Sequence, residues 1–136
     1  MDIDSFKAQH EKILEGIAAL RNYAKAGIAE NAELIAGQVV ALSSIIKVHL
    51  AIEDRVLYPS LQKNAHAELA AMGRAYQDEM KDIAQAYTAF SRRWNTPTQV
   101  AREAEGFRHD ANTVLKMVYQ RMQRENAEFY PAIEAA

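Results

Sequence analysis

The segment His49-Leu-Ala-Ile-Glu53-Asp-Arg-Val-Leu-Tyr58-Pro59 occurs a second time, altered, as Arg121-Met-Gln-Arg-Glu125-Asn-Ala-Glu-Phe-Tyr130-Pro131. Glutamate, tyrosine and proline keep their places, and apolar residues recur at Leu50/Met122 and Leu57/Phe129. The histidine that opens the first copy is an arginine in the second. A weaker echo lies upstream of each, Phe6-Lys-Ala-Gln-His10-Glu-Lys-Ile13 against Tyr76-Gln-Asp-Glu-Met80-Lys-Asp-Ile83. The chain therefore reads as two helix-plus-helix halves with polar residues at equivalent depths. The first half carries His, His and Glu there, and the second carries Met, Arg and Glu.

Working outward, the apolar periodicity predicts four helices. The first runs from about Ser5 to Ala26, capped by Ser5 or Asp4 and stopped by Gly27 with Lys25 in its last turn; Phe6, Ile13, Ile17, Leu20 and Ala24 form its stripe and His10 falls inside it. The second covers about Asn31 to Lys63, with a bend expected near Pro59, and its stripe of Leu42, Ile45, Ile46, Ile52 and Val56 takes in His49 and Glu53. The third spans about Ala67 to Arg92 through Leu69, Met72, Tyr76, Met80, Ile83, Tyr87 and Phe90. Thr96-Pro97 suits a cap and first helical turn, and a fourth helix follows to about Glu128, with Phe107, Ala111, Val114, Val118 and Met122 on the face shared by Arg121 and Glu125. Four such stripes joined by short connections predict an all-α, antiparallel up-down-up-down four-helix bundle.

Bulk composition narrows the function. At 136 residues one domain over 1–136 is expected, and 49% hydrophobic with 25% charged residues is ordinary for a globular protein. Three prolines and five glycines suit helix almost throughout. A net charge of -2 gives no case for nucleic acid or an anionic membrane. The absence of cysteine excludes disulfides, thiolate zinc sites, iron–sulfur clusters and cysteine nucleophiles. Met1-Asp-Ile-Asp-Ser-Phe-Lys has no apolar signal core, and no run approaches the roughly 18 apolar residues of a span, so a cytoplasmic location is the expectation. No nucleophile–base pair suggests hydrolysis, nothing marks an organic substrate or a protein partner, and enzyme activity is not expected.

Antiparallel packing would send His10, His49, Glu53, Arg121 and Glu125 toward one interior, with Tyr76 and Met80 beside them. Unpaired charge in an apolar core costs several kcal/mol, so the two glutamates need cations, either a metal ion or the Arg121 guanidinium. His49 and Glu53 are four residues apart on one helical face, and Arg121 and Glu125 repeat that spacing. Imidazole with carboxylate suits iron, zinc or manganese. Each residue also has a plainer reading. His10 reads as a hydrogen-bonded core histidine, His49/Glu53 as an intrahelical pair, Arg121/Glu125 as an ion pair, and Tyr76 and Met80 as core fillers, with a tyrosinate ligand as the bolder role for Tyr76. His66 and His109 read as surface or capping residues.

On these residues the chain resembles the hemerythrin-like family, the HHE cation-binding domains, over nearly its whole length. Phe6-x-x-x-His10 is similar to that family's first histidine motif, His49-x-x-x-Glu53 with Leu57-Tyr58-Pro59 to its signature on helix two, and Glu125 with Phe129-Tyr130-Pro131 to its last carboxylate segment. The resemblance implies a helical bundle around a bridged di-iron centre that binds dioxygen, nitric oxide or peroxide. Met80 and Arg121 stand where the family has histidines, both of which serve the same iron. The other iron's set is implied to be His10, His49, Glu53 and Glu125. A mononuclear site holding iron, with zinc or manganese also suited, is therefore expected ahead of a di-iron one, with a diatomic or redox species as its small ligand. Reversible oxygen carriage of the two-iron kind is not expected, because it draws one electron from each metal. The alternative is a metal-free fold serving as a structural or interaction module, with Arg121 neutralising the core carboxylates.

Overall fold

The computed structural model describes residues 3–63 and 66–135. Helix α1 (Asp4–Ala26) begins with Ile3, not Ser5 or Asp4, in the cap position, and ends at Gly27, whose φ of 128° is open to glycine and whose N–H bonds to Ala24 O. Asn31 Nδ2 donates to Gly27 O at 2.8 Å and closes the turn into α2 (Ala32–Ile52).

The expected bend at Pro59 takes another form. A π-helical turn over Glu53–Leu57 precedes the proline, and Tyr58 N–H reaches back to Glu53 O before α3 (Tyr58–Gln62) continues the axis. Proline has no N–H to offer and its ring crowds the carbonyl four residues back, so a wider turn ahead of it relieves both problems. The extra residue in that turn also shifts the helical phase, which leaves Val56 51% exposed instead of in the core stripe.

Helix α4 (Ala67–Arg93) leads through buried Trp94 to the cap at Thr96, whose Oγ1 accepts from Gln99 N–H. The expected fourth helix is in three pieces. A short α5 (Pro97–Arg102) breaks at Glu103, where φ is -125° and ψ is 57°, before α6 (Ala104–Arg124) begins. A second π turn over Glu125–Phe129 then precedes Pro131, and α7 (Tyr130–Ala135) carries the helix beyond Glu128. The sequence repeat is thus a structural repeat: each glutamate opens a π turn and each Tyr-Pro closes it.

The fold is all-helical, with no strand among the described residues. Helices α1, α2, α4 and α6 pack in a ring, α1 against α2 and α6, and α4 against α2, α3 and α6. Two apolar clusters fill the ring. One includes Ile13, Ile46, Met80 and Met122, and the other includes Phe6, Leu57, Tyr76 and Phe129. Helices α1 and α4 contribute to both, while α2 and α6 line the first and the π turns and short helices that continue them line the second. The polar residues lie in sequence between those contributions: His10 between Phe6 and Ile13, His49 and Glu53 between Ile46 and Leu57, Glu125 between Met122 and Phe129. The polar layer is the seam of two cores. By length and composition the continuous helix Ala32–Gln62 is long and apolar enough to cross a membrane, as core helices of soluble proteins also are.

Candidate metal centre

One residue from each of four positions in the repeat converges on this seam. His10 comes from α1, His49 from α2, and Glu53 and Glu125 each open a π turn, and all four are buried. One donor atom from each lies within 4.8 Å of all the others. His49 Nε2 is 2.6 Å from Glu53 Oε1, His10 Nε2 is 3.2 Å from Glu125 Oε1, and the two Nε2 atoms are 3.1 Å apart.

The ring orientations are fixed from outside. His10 Nδ1 lies 2.9 Å from Asn126 Oδ1, and His49 Nδ1 lies 2.6 Å from Gln9 Oε1. An amide oxygen only accepts, so each Nδ1 carries a hydrogen and each Nε2 is turned inward, where it becomes a metal donor once it carries no proton. Tyr58 OH donates to Glu53 Oε2 at 2.6 Å, and Tyr130 OH lies 2.9 Å from His10 Nε2 and 3.4 Å from Glu53 Oε1. Burial and the neighbouring carboxylates push both phenols well above the usual tyrosine range, so both remain protonated donors. Even so, among the described residues neither Glu125 oxygen accepts a well-formed hydrogen bond, and its nearest neighbour is His10 Nε2. Buried carboxylate oxygens left without a donor are the condition a bound cation relieves.

Protonation is the other source of positive charge. Burial by itself would lower the His49 pKa, but the carboxylates of Glu125 and Glu53 outweigh it and push it up to about 9. Burial would likewise raise Glu125, yet His10, His49 and Arg121 hold it down to about 2. Nitrogen and carboxylate donors converging on one point suit a divalent transition metal, and the four residues can hold one.

Arg121 borders the cluster without joining it. Its Nε is 3.7 Å from Glu125 Oε1 and forms no hydrogen bond, while its other nitrogens reach Glu79 Oε1 at 3.2 Å, Tyr58 OH at 3.3 Å and Tyr76 O at 2.6 Å. The guanidinium also covers the Tyr76 ring at 4.5 Å. Tyr76 OH donates to Glu128 Oε2 at 2.9 Å, and burial with that carboxylate raises its pKa, so this phenol is a structural donor. Met80 is packed in the apolar cluster. His66 and His109 are exposed, His66 in the cap position of α4.

The family model for the hemerythrin HHE cation binding domain matches residues 1–133. The chain belongs to that family. No curated protein and no solved structure matches it. Within this hemerythrin-like chain the sequence reading brought forward His10, His49, Glu53, Glu125 and Arg121, and the structure places them together. It missed the residues that aim them. Gln9 and Asn126 stand next to His10 and Glu125 in sequence, a signal easily overlooked because adjacent helical residues normally face apart. Tyr58 and Tyr130 were visible as repeated letters whose hydroxyl role needed coordinates. Glu79, which bridges Arg121 and Arg124, carried no signal at all.

Proposed function

We propose that this hemerythrin-like chain is a cytoplasmic single-domain metal protein over 1–136, an antiparallel up-down-up-down four-helix bundle holding one ion through His10, His49, Glu53 and Glu125. Iron is the favoured ion, and zinc and manganese suit the same donors. The observation that carries this reading is the inward convergence of two imidazole Nε2 atoms and two carboxylates within 4.8 Å of one another, with both Nδ1 hydrogens already given to amide oxygens. When bound, iron supplies a redox-active centre able to take a small diatomic such as dioxygen or nitric oxide.

The chain's own residues support one ion over two. Helix α4 contributes Tyr76 and Met80 beside the cluster, neither with a free nitrogen or carboxylate, and the Tyr76 hydroxyl is committed to Glu128. Arg121 places a permanent positive charge 3.7 Å from Glu125 Oε1. A second cation on that flank would meet this charge in a low-dielectric interior. Tyr58 and Tyr130 hold Glu53, and Gln9 and Asn126 hold the imidazoles, so the donor set is aimed before any ion arrives.

A second reading has its own observation. The 2.6 Å contact between His49 Nε2 and Glu53 Oε1 is a complete charge-assisted hydrogen bond if His49 is protonated, and Arg121 then balances Glu125. The site would in that case be a metal-free network in a structural or interaction module. Anaerobic titration of ferrous iron followed by melting temperature separates the two. The metal reading predicts a rise in the wild type that vanishes in His49→Ala. The metal-free reading predicts no rise in either.

A further inference from the structure

Helix α2 is apolar on two sides. Ile35, Val39, Leu42 and Ile46 face the core, as one stripe of a surface helix should. On the other side Leu34 is 54% exposed, Val40 47% and Val48 55%, among the few large apolar side chains left in solvent. Gly37, Ala41, Ser44 and Ala51 are exposed between them, and a Cβ added at Gly37 would meet nothing within 4 Å. Leu34, Gly37, Ala41, Ser44, Val48 and Ala51 alternate steps of three and four, the spacing of a helix-packing seam.

We propose that this face joins two copies of the chain, α2 lying antiparallel against α2 of the second copy across a two-fold axis that passes between Ala41 and Ser44. That axis sets Leu34 against Ala51, Val48 against Gly37 and Ala41 against Ser44 of the second copy, so each large side chain meets a small one. It also brings Arg55 at one end of the seam within about one helical turn, roughly 4.5 Å along the axis, of Glu33 at the other, within reach of two long side chains. Both charges are exposed, and neither has an ion-pair partner among the described residues of its own chain. Parallel pairing would place Glu33 against Glu33 and Arg55 against Arg55, so charge complementarity selects the antiparallel arrangement. A two-fold contact is self-complementary in this sense, each pair occurring twice. A membrane fits the same face less well, because Glu33, Lys47, Asp54 and Arg55 flank the apolar positions and would be drawn toward lipid.

Sedimentation equilibrium of the untagged full chain tests this. The wild type should sediment at twice the 15.3 kDa chain mass, and Ala41→Glu, on an exposed site clear of His49, should be a monomer with unchanged helical circular dichroism. Glu33→Arg and Arg55→Glu should each weaken dimerisation about tenfold, since every altered pair is duplicated by symmetry. Combining the two swaps should restore it, and these helix-end variants keep the test independent of Ala41→Glu folding. A wild type that stays monomeric, a dimer indifferent to Ala41→Glu, or a double swap that fails to restore association would each overturn the proposal. So would monomeric protein that binds phosphatidylcholine–phosphatidylglycerol vesicles through this face, losing them in Ala41→Glu.

Discussion

Replacing Arg121 with leucine isolates the part of the account on which the departure from a two-metal site depends. The guanidinium is buried, with Nε 3.7 Å from Glu125 Oε1, and among the described residues neither Glu125 oxygen accepts a well-formed hydrogen bond. At an effective dielectric of about 20, opposite charges at that separation attract by about 4 kcal/mol. Removing one member of a buried pair characteristically costs ~3–5 kcal/mol, because the other charge is left uncompensated. Leucine retains apolar volume, so little of the loss is a cavity effect. For a chain of this size about 3–4 °C accompanies each kcal/mol, and metal-free Arg121→Leu should melt roughly 10–20 °C below metal-free wild type. Thermal unfolding by circular dichroism after chelator treatment measures this directly. Ferrous iron should then narrow the gap, because the ion neutralises Glu125 in the guanidinium's place. If chelator-treated Arg121→Leu melts within about 2 °C of the wild type, the guanidinium is not what balances the core carboxylates and the reasoning fails.

Further outcomes follow from the same geometry. Met80→His combined with Arg121→His returns nitrogen donors to the two positions where the family has them, and bound iron should rise from about one to about two per chain, counted by elemental analysis. Tyr58→Phe frees Glu53 Oε2 from its 2.6 Å hydrogen bond and should weaken metal binding by about ten- to a hundredfold in a competition titration with a chromogenic chelator. In metal-free protein the His49 pKa is raised from 6.5 to about 9, so its contribution to stability is complete below about 6.5 and is lost as pH rises through about 9. Glu125, lowered to about 2, contributes above its ordinary value of 4.5 and loses that contribution as pH falls toward 2. Melting temperature against pH should therefore fall on both sides, and metal affinity should climb with pH to about 9 because the ion must displace the His49 proton.

Much of the architecture was legible because helix signals here are local. Gly27 ends α1 and Thr96-Pro97 begins α5 for reasons of backbone conformation that involve only near neighbours. The π turns were not legible, although their cause was in plain view. Periodicity treats a helix as having one pitch, and it cannot show that Pro59 and Pro131 are accommodated by widening the turn before them. The same blindness misplaced Val56 and ended the fourth helix at Glu128 too early. The break at Glu103 has no comparable signal, since neither Arg102 nor Glu103 disfavours helix. Buried Trp94 packs on Gly106 just beyond the break, where an added Cβ would lie 3.3 Å from its ring. In the candidate centre, His10, His49, Glu53, Arg121 and Glu125 stood out because polar residues inside apolar stripes require an explanation. Gln9 and Asn126 did not stand out, because a polar residue outside the stripe is what a solvated helix face normally shows.

The most direct test of the central claim is metal stoichiometry. Untagged protein purified without chelators, and a portion reconstituted anaerobically with ferrous iron, should be analysed for metal per chain alongside His49→Ala. The four-donor site predicts about one ion per chain in the wild type and none in the variant. No metal in the reconstituted wild type, or two ions per chain, would contradict it.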